Sequence, residues 1–491
     1  MDLLTAGLGE IAGAVKTKKI SAKEVSQFFL DRAQRLDTKL NSFIGLNPDL
    51  LQQAEAVDQR IAKGEDVGPL AGVPYGIKDM FCTKGLRTTA GSKILENFVP
   101  PYDATVVAKI KAAGGLVLGK LNQDEFAMGS SNETSFFGSV KNPWNTDYVP
   151  GGSSGGSAAA QAARLCAASL GTDTGGSIRQ PASFCGIVGV KPTYGRISRY
   201  GIIAYASSLD QAGPMVNSVA DAALSLEVLC GKDARDMTTA DHEVPAFSKN
   251  INRSLKGLKI GLQKEAVQAG GLHPDVQKSV DQAVAFLKSE GAEIVEVSIP
   301  LTEMAVPVYY LVATSEASSN LARYDGVKYG YRADFPNLSA IDLEEFYSKT
   351  RGQGFGKEVK RRIVLGTFCL SAGYYDAYYN KACQVRRLLR DQYLAAFKNC
   401  DVILSPVSTS PAFKLGDRIS NPLTMYLNDI FTVSTNLAGL PGMSVPFGFS
   451  GEGLPIGIQL TAAHFEEQKM LNVGAALESA APDKKKVPHV Y

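Results

Sequence analysis

Histidine is scarce in this 491-residue chain, which has four: His242, His273, His464 and His489. His242 and His273 stand in polar, turn-like contexts and His489 near the end, so His464 alone qualifies as a general base. The seven cysteines are odd in number and none forms a C-x-x-C pair, which excludes a dense disulfide framework and fits a reducing compartment. An excess of one charge is absent too. With 51 Lys+Arg against 49 Asp+Glu, the net charge of +2 gives no electrostatic footprint for nucleic acid on this chain alone. No apolar run is long enough to span a bilayer: the alanine-rich stretch from Ala158 to Leu170 is broken by Gln161 and Arg164. The first residues, MDLLTAGLGEIAGAVK, lack a basic start followed by an apolar block, so no signal peptide is expected. The expectation is a soluble, cytoplasmic protein without a membrane partner.

What is present is ordinary globular composition, 45% hydrophobic and 20% charged, which supplies a sizeable core. Length alone suggests two or three domains, or one large α/β unit. The N-terminal region reads as helical. Ser21-Ala22-Lys23-Glu24 is a capping box, followed by an apolar face of Val25, Phe28, Phe29 and Ala33. A second helix is predicted from Leu51 to Lys63, ending at Gly64. Beyond about residue 70, short strands alternate with helices. Asp103 is predicted to cap a helix through Ala113, with a strand at Leu116-Val117-Leu118. Gly257–Gln263 reads as a strand, His273–Glu290 as a helix, and Ile294–Val297 as the strand after it. This alternation predicts an α/β sheet covered by helices on both faces.

Glycine is clustered between residues 150 and 201, where chemistry is concentrated. Gly151-Gly152-Ser153-Ser154-Gly155-Gly156-Ser157 leads into an alanine-rich helix, and Gly171-Thr172-Asp173-Thr174-Gly175-Gly176-Ser177-Ile178-Arg179 opens another. Glycines allow close backbone approach, and free N–H groups at a helix start favour a negative oxygen. A serine nucleophile that generates an oxyanion needs that environment. Residues 151–155 also satisfy G-x-S-x-G, the nucleophile elbow that requires a downstream histidine. Gly114–Lys120 matches the start of a phosphate loop, but Leu121 occupies its Ser/Thr place. With histidine scarce, lysine is the alternative base for a serine hydrolase. Lys78 closes the apolar run Val73-Pro74-Tyr75-Gly76-Ile77, where burial would favour its neutral form.

Lys78, the 151–157 loop and Gly175-Gly176-Ser177, in that order, resemble the amidase signature family, as does Gly453–Leu460. The resemblance implies one α/β/α amidase-signature fold with a central mixed, twisted β-sheet. Helices of residues 1–65 would pack on a domain of 66–482, with 483–491 as a solvated tail. It also implies a Ser–cis-Ser–Lys catalytic set. Ser177 would be the nucleophile, Ser153 the bridging serine and Lys78 the base, with backbone N–H groups of Thr174, Gly175, Gly176 and Ser177 forming the oxyanion hole.

Three further stretches, Asn122–Glu133, Glu358–Ile363 and Pro422–Asp429, are similar to the glutamine-hydrolysing branch of that family, which serves tRNA-dependent amidotransferases. Glutamine carries an α-carboxylate that suits a guanidinium and an α-ammonium that suits an aspartate. The resemblance assigns these roles to Arg362 and Asp429. It leaves open Arg361 in place of Arg362, and whether Tyr309 or Tyr310 lines the pocket. It implies no metal or cofactor in this chain. Ammonia would pass to a B subunit that amidates glutamyl-tRNA(Gln) with ATP and Mg, and a small C subunit would complete a heterotrimer. The alternative is a stand-alone amidase acting on acyl or aryl amides.

Overall fold

Short apolar runs become the strands of one 11-stranded sheet in the computed structural model. Its description covers every residue except 269, 338–340, 419–424, 483–485 and 489–491. In chain order the strands are β1 (Phe43–Leu46), β2 (Pro74–Lys78), β3 (Leu116–Leu121), β4 (Ala168–Asp173), β5 (Val188–Lys191) and β6 (Gln211–Val216). They continue as β7 (Lys259–Gln263), β8 (Glu293–Val297), β9 (Val402–Pro406), β10 (Gly442–Phe449) and β11 (Pro455–Ala462). Their spatial order is β1-β3-β2-β4-β6-β5-β10-β11-β9-β7-β8. The pairs β3/β2, β2/β4, β9/β7 and β7/β8 are parallel, and the remaining neighbours are antiparallel.

Every residue of β2, β3, β4, β6 and β11 is buried, so both faces of the sheet are covered. Strand β9 shows how. Val402 and Leu404 belong to one hydrophobic cluster and Ile403 to another. Adjacent strand residues point to opposite faces, so the two clusters lie on opposite sides of the sheet.

The Ser21 capping box forms and starts the helix Ala22–Leu36, which buries Val25, Phe29 and Ala33. The next helix, Leu50–Ala62, ends near Gly64 at φ +77°. Three expectations change. Residues 1–65 are not only helices, because β1 pairs antiparallel with β3 and extends the central sheet. Asp103 does not cap the helix Thr105–Ala112; its carboxylate instead accepts from the Lys84 N–H and the Lys111 ammonium. Of residues 483–491, expected as a solvated end, 486–488 lie against the protein. Pro488 is buried and Lys486 Nζ is 4.9 Å from the centre of the Phe449 ring. The others, His489 included, lie outside the described residues.

Candidate active site

The parallel strands β3, β2 and β4 deliver their C-terminal ends to one edge, where open α/β sheets place ligands. Lys78 is the last residue of β2 and is wholly buried. Its Nζ lies 2.8 Å from Ser153 Oγ, 2.9 Å from Ser154 Oγ and 2.8 Å from Thr172 Oγ1. Burial pulls the ammonium down to about 7, against the opposing pull of Asp124, Asp173 and Asp210. The Ser154 hydroxyl donates to the Thr172 carbonyl at 3.1 Å, so towards Lys78 it only accepts. Ser153 Oγ bonds to no other described residue, which leaves its proton free to move.

Backbone contacts fix Ser153 in place. The Gly152–Ser153 peptide is cis. Gly152 N–H donates to Gln180 Oε1 at 3.0 Å, and the Ser153 carbonyl accepts from Asp124 N–H at 3.2 Å. A Cβ on Gly152 would lie 2.1 Å from Asp124 Oδ2, so only glycine fits there.

From the end of β4 the chain turns into the second glycine loop. Asp173 accepts from the N–H groups of Ile178 and Arg179 and pairs with the Arg179 side chain at 3.0 Å through both Nε and Nη2. Burial opposes that charge, but the buried Arg179 guanidinium outweighs it and holds Asp173 down at about 2. Arg179 also donates to Gln459 Oε1 at 2.7 Å and Asn436 Oδ1 at 2.5 Å, which ties the loop to the far half of the sheet. Between these anchors, the N–H groups of Thr174, Gly175, Gly176 and Ser177 donate to no described residue. Ser177 is 8% exposed and its Oγ bonds to no described residue, whereas its carbonyl accepts from Ser154 N–H at 3.2 Å. A serine hydroxyl in a loop whose N–H groups have no partner among the described residues suits a nucleophile whose attack builds negative charge on a carbonyl oxygen.

Arg362 lies on the inner side of the helix Lys357–Leu370, with 4% of its side chain exposed against 51% for Arg361. Arg361 turns outward and pairs with Glu358, which settles which arginine faces inward. Arg362 Nε donates to Glu358 Oε1 at 2.8 Å and Nη1 to Tyr205 Oη at 2.7 Å; Nη2 has no partner among the described residues. Asp429 accepts from Ser130 Oγ at 2.5 Å through Oδ2, while Oδ1 bonds to no described residue. Burial lifts its carboxyl to about 7, although the Ser130 hydrogen bond and the Arg362 charge oppose the rise. Ser130 also lines a small cavity of about 50 Å³ with Arg362, Glu358 and Tyr426. Its carbonyl accepts from Gln180 Nε2, and Gln180 in turn holds Gly152. The charged pair and the serines thus share one scaffold. Both tyrosines are present in different roles: Tyr309 packs over Gly175, and Tyr310 lies under the Arg362 guanidinium, 5.2 Å from its ring centre.

Ser154, Thr172, Tyr205, Glu358 and Ser130 lie in contact with the candidate site residues and were not assigned by the sequence alone. Ser154, Thr172, Ser130 and Glu358 stood within the motifs named above, and nothing local marked Tyr205. The rejected histidine readings have structural explanations. His464 Nε2 lies 3.0 Å from the Ala438 carbonyl, His273 caps the helix Pro274–Ser289, and His242 stacks on Phe465. Gly114–Lys120 is no phosphate loop, because Lys120 is buried and donates to the Phe81 carbonyl at 2.5 Å. Pro422–Thr424 of the third quoted stretch lie outside the described residues.

The buried lysine with its serine partners and the glycine loop lie at one edge of a mixed sheet, and residues 24–471 match the family model described as Amidase. The chain belongs to that family. Among its relatives it is 74% identical over 490 residues to the A subunit of the glutamyl-tRNA(Gln) amidotransferase of Bdellovibrio bacteriovorus, covering 100% of both chains. The crystal structure of the corresponding glutamyl-tRNA(Gln) amidotransferase chain from Thermotoga maritima superposes with a TM-score of 0.83 at 41% identity, covering 100% of this chain and 99% of that one. The peptide amidase of Stenotrophomonas maltophilia is similar at 30% identity and a TM-score of 0.82, covering 99% of each chain. Among the described residues, no helix is long and apolar enough to cross a membrane.

Proposed function

We propose that this chain is the glutamine-hydrolysing component of a tRNA-dependent amidotransferase, with Ser177 as nucleophile, Ser153 as proton bridge and Lys78 as base. The observation that carries the choice of substrate is the pair of buried, incompletely paired groups: among the described residues, Arg362 Nη2 and Asp429 Oδ1 have no hydrogen-bond partner. A free amino acid carries the matching carboxylate and ammonium, and a simple amide carries neither.

Neutral Lys78 draws a proton from Ser153, which takes one from Ser177 as its oxygen attacks the glutamine amide carbon. The N–H groups of residues 174–177 receive the developing oxyanion, each donor worth about 2.7–4 kcal/mol. The same proton path then runs in reverse and protonates the amide nitrogen, which leaves as ammonia as the tetrahedral intermediate collapses. Water hydrolyses the remaining γ-glutamyl ester on Ser177 and releases glutamate. Ammonia is handed to a partner B subunit that converts Glu-tRNA(Gln) to Gln-tRNA(Gln). The ATP and Mg of that amidation are assigned to the partner, tRNA is held by the complex, and a C subunit completes a heterotrimer. The near-neutral charge of this chain agrees with that division of labour.

The test is a comparison of free glutamine with an uncharged aryl amide on the purified chain, together with copurification from its host. Glutamine preferred and companion subunits recovered support the reading. An aryl amide preferred, with the chain recovered alone, would make it a stand-alone amidase.

A further inference from the structure

The loop that offers free N–H groups beside Ser177 contains two consecutive glycines, Gly175 and Gly176, and the second has φ +141°. With no Cβ on either residue, the backbone preferences of the loop itself admit both orientations of the peptide between them, so the choice falls to the side chains packed against it, Tyr309 at Gly175 and Thr432 at Gly176. The two orientations differ in chemistry. A trans peptide points its C=O and N–H in opposite directions. In one orientation the Gly176 N–H faces the reacting centre; in the other the Gly175 carbonyl does, and it would repel an oxyanion.

The buried Thr432 selects between them. Its Oγ1 donates to the Gly175 carbonyl at 2.6 Å, a shorter contact than the 3.1 Å to the alternative acceptor, the Asp429 carbonyl. With the Gly175 carbonyl held on Thr432, the Gly176 N–H points away from Thr432, where no described residue accepts from it. Thr432 also approaches so closely that a Cβ on Gly176 would lie 2.2 Å from its hydroxyl oxygen. Its own N–H donates to the Asp429 carbonyl at 3.0 Å, so the turn carrying Asp429 and the glycine loop are joined through this one residue.

We infer that Thr432 is a positioning residue for the oxyanion site, holding the Gly175–Gly176 peptide with its N–H towards the substrate carbonyl. This inference rests on the reading of Ser177 as nucleophile. Thr432 touches no reacting atom and acts through the peptide it restrains.

The test uses Thr432→Val, which keeps the branched shape without the hydroxyl, and Thr432→Ser, which keeps the hydroxyl without the methyl, both in the full-length protein. Losing one oxyanion donor lowers kcat by about 10²–10³-fold. Thr432→Val is expected to lower kcat for glutamine by about 10²-fold with KM unchanged, and Thr432→Ser to recover most of it. Wild-type kcat in Thr432→Val, a rise in KM alone, or equal loss in the two variants would overturn the inference. Ser177→Ala is measured in parallel. If it still hydrolyses glutamine, the reading of the site has failed; if it is inactive while Thr432→Val matches wild type, only the role of Thr432 has failed.

Discussion

The titration of Lys78 should govern glutamine hydrolysis, and its burial draws that titration down towards neutral pH. The amine is wholly buried, meets only hydroxyl oxygens at 2.8–2.9 Å and is drawn down to about 7. A base must be unprotonated to act. With a pKa near 7, roughly nine-tenths of the amine is free at pH 8 and about a tenth at pH 6. On the acid side, kcat/KM should therefore fall about tenfold per pH unit. Asp429 is lifted to about 7 and must be charged to hold an ammonium, so its contribution also fades as pH falls. The acid limb should be steeper for glutamine than for an aryl amide, which needs no clamp. Lys78→Met keeps a similar length in the buried slot and removes the base, a loss of about 10²–10⁴-fold. Lys78→Arg stays protonated and should be equally inactive. Glutamate release between about pH 5.5 and 9, with a thermal melt of each variant to confirm folding, measures all of this. A flat acid limb, or substantial activity in folded Lys78→Arg, would refute the reasoning.

Two further outcomes follow from the surrounding contacts. Arg362→Ala or Asp429→Ala should reduce kcat/KM for glutamine by about 30-fold or more, since losing one partner of a buried charge pair costs about 2–5 kcal/mol. Turnover of an aryl amide and labelling by a serine-directed acylating probe should persist, and uniform loss of all three would indicate a structural role. Arg179→Met leaves the Asp173 charge buried without its guanidinium, which costs about 3–5 kcal/mol; it should appear as a lower urea midpoint, and an unchanged midpoint would contradict the anchoring role of that pair.

The sequence was most legible where chemistry and local pattern coincided. Lys78 ended an apolar run and two glycine-serine loops opened helices, which marked these segments, but the separate roles of Lys78, Ser153 and Ser177 came only from the resemblance to the amidase signature family. The choice between Arg361 and Arg362 was also encoded locally. Val359, Arg362, Gly366 and Cys369 form the buried stripe of their helix, at a spacing that excludes Arg361. The two-charge pocket was legible only in part, because Tyr205 meets Arg362 from 157 residues away and Ser130 meets Asp429 from 299. Thr432 carries no signal at all, since its role exists only once its turn lies against Gly175. Strand β1 escaped because Phe43–Leu46 is four residues long and shows no full alternation.

In the proposed mechanism Ser177 becomes covalently attached to the γ-carbonyl of glutamine. Glutamine turnover quenched in acid, followed by peptide mapping, tests this directly. The mechanism predicts a γ-glutamyl group on the peptide at Ser177, absent in Ser177→Ala and greatly reduced in Lys78→Met. A γ-glutamyl group on Ser153 instead, or sustained glutamate release by Ser177→Ala, would contradict it.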